Sequence, residues 1–281
     1  MLTRIISGVV MALGAGGVLL YTPWWGLAAL SALMGWIAVD EFQRMGRPEQ
    51  PTSARLALGA LAALLVLSPA YAPLGLTLPL GALWTFGFLA VAFAHLSRPL
   101  PLEGSAQRVA VDMLGLSYVG LTLPYLIELR LLDQEGGWGW VVLAMLITFG
   151  GDTGGYFAGR ALGGKLTGER RLAPSLSPKK TWEGFAGGLA LGVAGALAAR
   201  AGLEVCADLS VLDCLILGAL GVPLGVLGDL FESMMKRSAG VKDSGALIPG
   251  HGGVLDRIDA LLFVAPPVWL YVVHLKPLLA S

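Results

Sequence analysis

Residues Val211–Gly228 read VLDCLILGALGVPLGVLG, with Asp213 as the lone charged side chain. Crossing a bilayer takes about 20 mostly apolar residues, with a range of roughly 17 to 25. This run predicts a membrane helix. Eight further blocks of similar character flank it: Ile5–Tyr21, Trp24–Val39, Leu56–Tyr71, Leu74–Leu96, Val109–Ile127, Trp138–Gly159, Phe185–Ala199 and Ile258–His274. The expected fold class is therefore all-α, a polytopic membrane protein of about nine transmembrane helices. Forty glycines suit helices that pack through small faces, and Gly16-Gly17 and Gly187-Gly188 are expected to permit close backbone approach. The first block has the length of an anchor and lacks a clear small-residue cleavage site, so it is read as a helix.

Composition agrees. Hydrophobic residues make up 56% of the 281 and charged residues 14%, with a mean hydropathy of +0.73. A soluble domain carries about 25% charged residues. Disorder needs much charge and few apolar residues, so it is excluded. The formal net charge is zero, which argues against a nucleic-acid partner. Two cysteines cannot build a disulfide framework, and no CxxC pair suggests a zinc site. The spacing of Cys206 and Cys214 permits one disulfide that the fold does not need.

The basic residues predict orientation. Sixteen of the 19 fall at the N-terminus or in the even-numbered connections: Arg4; Arg44, Arg47 and Arg55; Arg98 and Arg108; Arg160, Lys165, Arg170, Arg171, Lys179 and Lys180; and Lys236, Arg237, Lys242 and Arg257. Only Arg130, Arg200 and Lys276 fall on the other side. Positive charge stays in the cytoplasm, so the N-terminus is expected there. No connection is long enough for a separate soluble domain. Residues 1–137 are read as N-terminal membrane helices and 138–281 as the region that carries chemistry.

Ahead of the sixth block the polar residues look ordinary. Asp40, Glu41, Arg44, Glu103 and Arg108 read as solvated loop positions, and His95 and His274 as packing or interfacial. Three later segments differ. In Gly150-Gly151-Asp152-Thr153-Gly154-Gly155, Asp152 sits within an apolar stretch, where a carboxylate is a functional candidate by default. The bland reading pairs it with Arg160. In Ser177-Pro178-Lys179-Lys180-Thr181-Trp182-Glu183-Gly184, paired lysines and hydroxyls supply donors for a phosphate. The third segment begins at Leu227. On a helix, Asp229, Ser233 and Lys236 share one face at i, i+4 and i+7, with Glu232 at its edge. Pro249-Gly250-His251-Gly252-Gly253 then reads as a tight turn, followed by Asp256 and Asp259. Carboxylates interleaved with bases suit a hard cation and phosphate oxygens.

The run Ser233-Met-Met-Lys236-Arg237, Lys242-Asp243-Ser244-Gly245 and Leu247-Ile-Pro-Gly-His251-Gly252-Gly253-Val-Leu-Asp256-Arg257-Ile-Asp259 resembles the signature of the phosphatidate cytidylyltransferase family. The Asp152 and Ser177–Gly184 segments are similar to that family's other polar motifs. The similarity covers roughly residues 145 to 265.

The resemblance implies transfer of the cytidylyl group of CTP to phosphatidic acid, with Mg2+, and leaves room for a second, monovalent cation. It implies Asp229 and Asp256 as metal ligands, with Asp152 and Asp259 as further catalytic carboxylates. Ser177, Lys179, Lys180, Thr181, Ser233, Lys236, Arg237, Lys242 and Arg257 fall to substrate binding, as do His251, Gly252 and Gly253. It also implies a homodimer in a bacterial inner membrane, with the site facing the cytoplasm. Another CTP-dependent lipid or polyprenol phosphotransferase is the nearest alternative. An ion-coupled transporter is a more distant one, since transporters tend to show symmetry between halves.

Overall fold

The computed structural model describes residues 2–76, 79–97, 100–168 and 170–280. Arg98 and the side chain of Arg4, both used in the charge split, lie outside this description. The helices are α1 (Leu2–Tyr21), α2 (Trp24–Gly46), α3 (Thr52–Val66), α4 (Leu80–Leu96), α5 (Ser105–Gly120), α6 (Pro124–Leu131), α7 (Trp138–Leu162), α8 (Trp182–Gly202), α9 (Val211–Ser238), α10 (Leu255–Leu270) and α11 (Lys276–Ala280).

Proline marks several starts. Pro23, Pro51 and Pro79 stand immediately before α2, α3 and α4, where a missing N–H leaves no hydrogen bond unmade. After α3, a 3-10 turn at Ser68–Leu74 contains two prolines and bends the path by 52°.

The chain is a helical polytopic membrane protein. Among the described residues, six stretches are long and apolar enough to cross a membrane: α2, Ser105–Leu131, α7, α8, α9 and Leu255–Leu279. The bent α3 pair would make a seventh, and Ile6–Tyr21 and Leu80–Leu96 are apolar but shorter.

Two local features depart from expectation. β1 (Arg171–Ala173) and β2 (Ser177–Thr181) form an antiparallel hairpin where a plain loop was expected, pairing Arg171 with Thr181 and Ala173 with Ser177. Several helices also outrun their apolar blocks, because each added residue closes another backbone hydrogen bond. α2 therefore carries Asp40, Glu41 and Arg44 on its last turns rather than in a loop. Glu41 is buried. Asp40 accepts from Arg44 at 2.7 Å and Arg55 at 3.0 Å.

The chain folds as two compact units, Met1–Glu128 with Ala239–Arg257, and Leu129–Ser238 with Ile258–Ser281. In the first, Ala38, Val39, Val66, Leu116 and Val119 are buried. Asp112 is also buried there and accepts from Arg47 Nη1 at 2.6 Å and His95 Nε2 at 2.8 Å. His95 is thus the partner of a buried carboxylate, not a packing residue. A lone buried carboxylate would be costly, and these donors offset that.

In the second unit, α7 and α8 meet backbone to backbone. A Cβ on Gly154 would lie 2.3 Å from Gly187 O, and one on Gly188 would lie 2.7 Å from Gly151 O. The close approach expected at Gly187-Gly188 is present. Gly16 and Gly17, by contrast, have nothing within 4 Å among the described residues. Cys206 and Cys214 are separate buried thiols, so the disulfide is not formed. Burial pushes the Cys206 thiol up to about 12.

Candidate functional site

The second unit holds a cavity of about 250 Å³ bordered by Asp152, Tyr156, Lys179, Lys180, Phe185 and Asp229, with glycines of α7 and α8 along its wall. The charged side chains arrive from three elements. α7 carries Asp152 within its apolar run, β2 delivers Lys179 and Lys180, and α9 carries Asp229. Without the hairpin the two lysines would have no fixed direction. The small residues that let α7 and α8 approach also leave the wall low enough for a ligand.

Lys180 Nζ forms an ion pair with Asp229 Oδ2. Thr181 is buried and caps α8, its Oγ1 accepting from Gly184 N–H at 3.0 Å. Ser177 opens β2 at intermediate exposure, and Lys179 is exposed. Arg160, the partner considered for Asp152, donates to Tyr156 Oη at 3.0 Å.

Glu183 belongs to the same motif but turns away from chemistry. Its Oε1 accepts from the N–H groups of Gly164, Leu166 and Thr167 at 3.1, 3.1 and 2.9 Å, and from Thr167 Oγ1 at 3.0 Å. It pins the loop that leads into the hairpin.

Beside the cavity on α9, ligand oxygens of Asp229, Glu232 and Asp259 lie within 4.8 Å of one another. Glu232 is fully buried, and Lys236 Nζ donates to its Oε2 at 2.5 Å. Carboxylates this close repel one another, and a cation between them would offset that repulsion. The all-oxygen donor set fits a hard divalent cation. Ser233 and Lys236 are buried on the same helix, and Arg237 is exposed. Glu232, seen in sequence only as an edge residue, is central to this cluster.

The remaining predicted residues, Lys242, His251, Gly252, Gly253, Asp256 and Arg257, belong to the first unit. The expected tight turn is present. Gly250 and Gly252 have φ of 77° and 81°, which side chains rarely adopt, and Ile248 N–H donates to Gly252 O at 2.9 Å. Asp256 Oδ2 accepts from Ser244 N–H and Gly253 N–H, both at 2.8 Å, and lies 2.9 Å from Ser244 Oγ, whose single proton it shares with Glu41. Ser7 Oγ lies 3.0 Å from Pro249 O and 2.8 Å from His251 Nδ1. A hydroxyl has one proton to donate. Given to Pro249 O, it leaves His251 Nδ1–H as the donor to Ser7 and Nε2 of the neutral ring as an acceptor. Lys242 and Arg257 are exposed.

Glu41 was missed altogether as part of this loop. Its carboxylate accepts from Val254 N–H, Leu255 N–H and Ser244 Oγ at 3.0, 2.9 and 3.1 Å. No local pattern around Glu41 announces a partner more than 200 residues away.

Comparison with known proteins follows the same outline. The sequence pattern of the Cytidylyltransferase family matches residues 2–275. The chain is 42% identical over 151 residues to a phosphatidate cytidylyltransferase of Bacillus subtilis, covering 53% of this chain and 52% of that one. It is 45% identical over 128 residues to one of Haemophilus influenzae, covering 45% and 43% respectively. In both cases the match spans about half of the relative's length. With one of Synechocystis it is 34% identical over 306 aligned positions, covering 98% of each chain.

Proposed function

The chain belongs to the cytidylyltransferase family, and from that premise we propose that it transfers the cytidylyl group of CTP to phosphatidic acid, giving CDP-diacylglycerol and pyrophosphate. The observation that carries this reading is the cavity, where two lysines, two aspartates and an apolar wall meet. A phosphate on a lipid needs that combination.

A phosphate monoester oxygen attacks the α-phosphorus of CTP, the bond to the β-phosphate breaks, and pyrophosphate leaves. The nucleophile is already anionic, so no serine or cysteine has to be activated. The obstacle is electrostatic: two anions must meet, and charge builds on the departing pyrophosphate. Positioning and charge neutralisation carry such reactions. Lys179 and Lys180 are assigned to phosphate oxygens. Ser177 stands beside them, and Thr181 supports them by capping α8. Arg237, Lys242 and Arg257 are exposed bases assigned to the remaining phosphates.

Asp229, with Glu232 and Asp259, would hold Mg2+, and Asp256 keeps the ligand role that the resemblance gives it. When bound, the ion neutralises phosphate oxygens and the leaving group. Asp152 is assigned to the outer shell of that charge. A second, monovalent cation belongs to the same proposal. Lys236, ion-paired to Glu232, orients the cluster rather than reaching outward. His251 in the Nδ1–H form offers Nε2 as an acceptor, and it donates to pyrophosphate only as the imidazolium.

We further propose nine membrane passes with the N-terminus in the cytoplasm, a homodimer, and a bacterial inner-membrane location. The charge split supports the orientation, and a cytosolic nucleotide would then meet the lipid headgroup at the membrane boundary. The test is incorporation of labelled CTP into lipid by the purified chain in detergent, across several lipid phosphates, with and without Mg2+. Turnover specific to phosphatidic acid, with matching pyrophosphate release, is expected. Preference for a polyprenol or another acceptor would replace the reading.

A further inference from the structure

The most buried acid of the first unit outside the Asp112 network is Glu41, and nothing in the transfer chemistry accounts for it. It sits on α2, 5% exposed, and all three of its donors belong to the loop that ends at α10. Val254 N–H donates to Oε1, while Leu255 N–H and Ser244 Oγ donate to Oε2. The first amides of a helix have no partner within it, and an anion there is favoured by the helix dipole as well. Glu41 supplies that anion from a distant part of the chain.

The loop is shaped around this carboxylate. A Cβ on Gly245 would lie 2.6 Å from Glu41 Oε1, and one on Gly253 would lie 2.3 Å from Oε2 and 2.2 Å from Ser244 Oγ. Neither glycine has a left-handed φ. Their small size is therefore needed for the close approach of Glu41, not for the path of the backbone. Gly253 N–H donates to Asp256, in the manner of a capping box. Ser244 joins the two acids, its Oγ within hydrogen-bonding distance of Glu41 Oε2 and Asp256 Oδ2. Glu41 thus reaches Asp256 through Ser244 and through the first turn of α10.

We propose that Glu41 is a positioning residue for cytidylyl transfer: it holds the 244–255 loop in the one conformation that aims the Asp256 carboxylate. The proposal rests on the transferase reading only for its effect on activity. Its structural core concerns contacts within the first unit alone.

The experiment is hydrogen exchange on the full chain in detergent, combined with steady-state kinetics, for Glu41→Ala, Glu41→Gln and Gly253→Ala. Glu41→Ala removes every acceptor. It is expected to speed amide exchange across 244–256 by about tenfold or more, the effect of losing hydrogen bonds to a charged group, with α3 and α5 unchanged. In the same variant kcat should fall at least as far. Glu41→Gln keeps the volume and one acceptor oxygen, so it should fall between wild type and Glu41→Ala in both measurements. Gly253→Ala places a methyl where the carboxylate lies and should reproduce Glu41→Ala. Combined with Glu41→Ala, it should add little. Wild-type exchange across 244–256 in Glu41→Ala would overturn the proposal. So would an increase spread evenly over α2, α3 and α5, which marks a general loss of folding. Exchange needs no substrate, so a wild-type chain without CTP turnover would overturn the transferase reading while leaving Glu41 to be judged by exchange.

Discussion

Lys180 on β2 and Asp229 on α9 are ion-paired across the wall of one cavity. Both side chains remain partly exposed, at 22% and 31%. Such a pair contributes little to stability, about 0–1 kcal/mol. It does keep two reactive charges neutralised until ligands arrive. Under the proposed assignment, a phosphate drawn to Lys180 would release Asp229, and a cation drawn to Asp229 would release Lys180.

This exchange of partners predicts opposite effects from one substitution. In Lys180→Met, kcat/KM should fall by about tenfold or more, the loss of one charge-assisted phosphate contact. The concentration of Mg2+ needed for half-maximal activity should drop, because the competing ammonium is gone. Titrating Mg2+ against both proteins checks it, and a higher Mg2+ requirement would refute the exchange.

Removing the carboxylate charge should be more severe. Asp229→Asn and Asp256→Asn are each expected to abolish Mg2+-dependent pyrophosphate release, by about a hundredfold or more, with unchanged elution and helical content. Treating the wild-type chain with a chelator should do the same, reversibly. Near-normal release in either variant removes that residue from the metal assignment.

Gly154 tests the α7–α8 contact. Gly154→Ala drives a methyl toward Gly187 O, at 2.3 Å before relaxation, and should destabilise by about 1–3 kcal/mol. Gly16→Ala meets nothing within 4 Å and should lie within about 0.5 kcal/mol of wild type or slightly above it. Thermal unfolding in detergent ranks the two.

Glu183→Ala leaves three backbone N–H groups of the 164–167 loop without their acceptor. Trypsin should then cut at Lys165 faster than in wild type, while cleavage at the exposed Lys242 keeps its rate. Digestion followed by mass analysis reads both sites at once.

Cys206 should resist maleimide at pH 8 until the chain unfolds, because burial holds its thiol protonated up to about 12. The sign of the accompanying pH effect follows. Unfolded thiols release their proton near the ordinary value of 9.0, so above that the unfolded state binds fewer protons than the folded one. Its contribution to stability is complete below about 9 and is lost as pH rises toward 12. Cys206→Ser should flatten that loss in thermal scans between the two values.

The membrane-helix class was legible from uninterrupted apolar runs, while the starts of α3 and α4, just after Pro51 and Pro79, were not placed. Hydropathy alone placed the helix ends too early, as at α2, since backbone hydrogen bonding carries a helix past the last apolar residue. The hairpin at Arg171–Thr181 was missed because its strands are short and polar, with no alternation to betray them. Glu183 looked like part of a phosphate motif and proved to be the anchor of a loop.

Composition, the spacing of apolar blocks and the run from Ser233 to Asp259 determined the class of this protein and its family resemblance, because membrane insertion and local motifs depend on residues close together in sequence. Only the tertiary structure decided that Glu232 joins Asp229 and Asp259, that Asp112 holds His95, and that Glu41 underlies the loop before α10. Burying a carboxylate requires donors from wherever the chain can bring them. That choice is made by packing between elements, and local periodicity carries no trace of it.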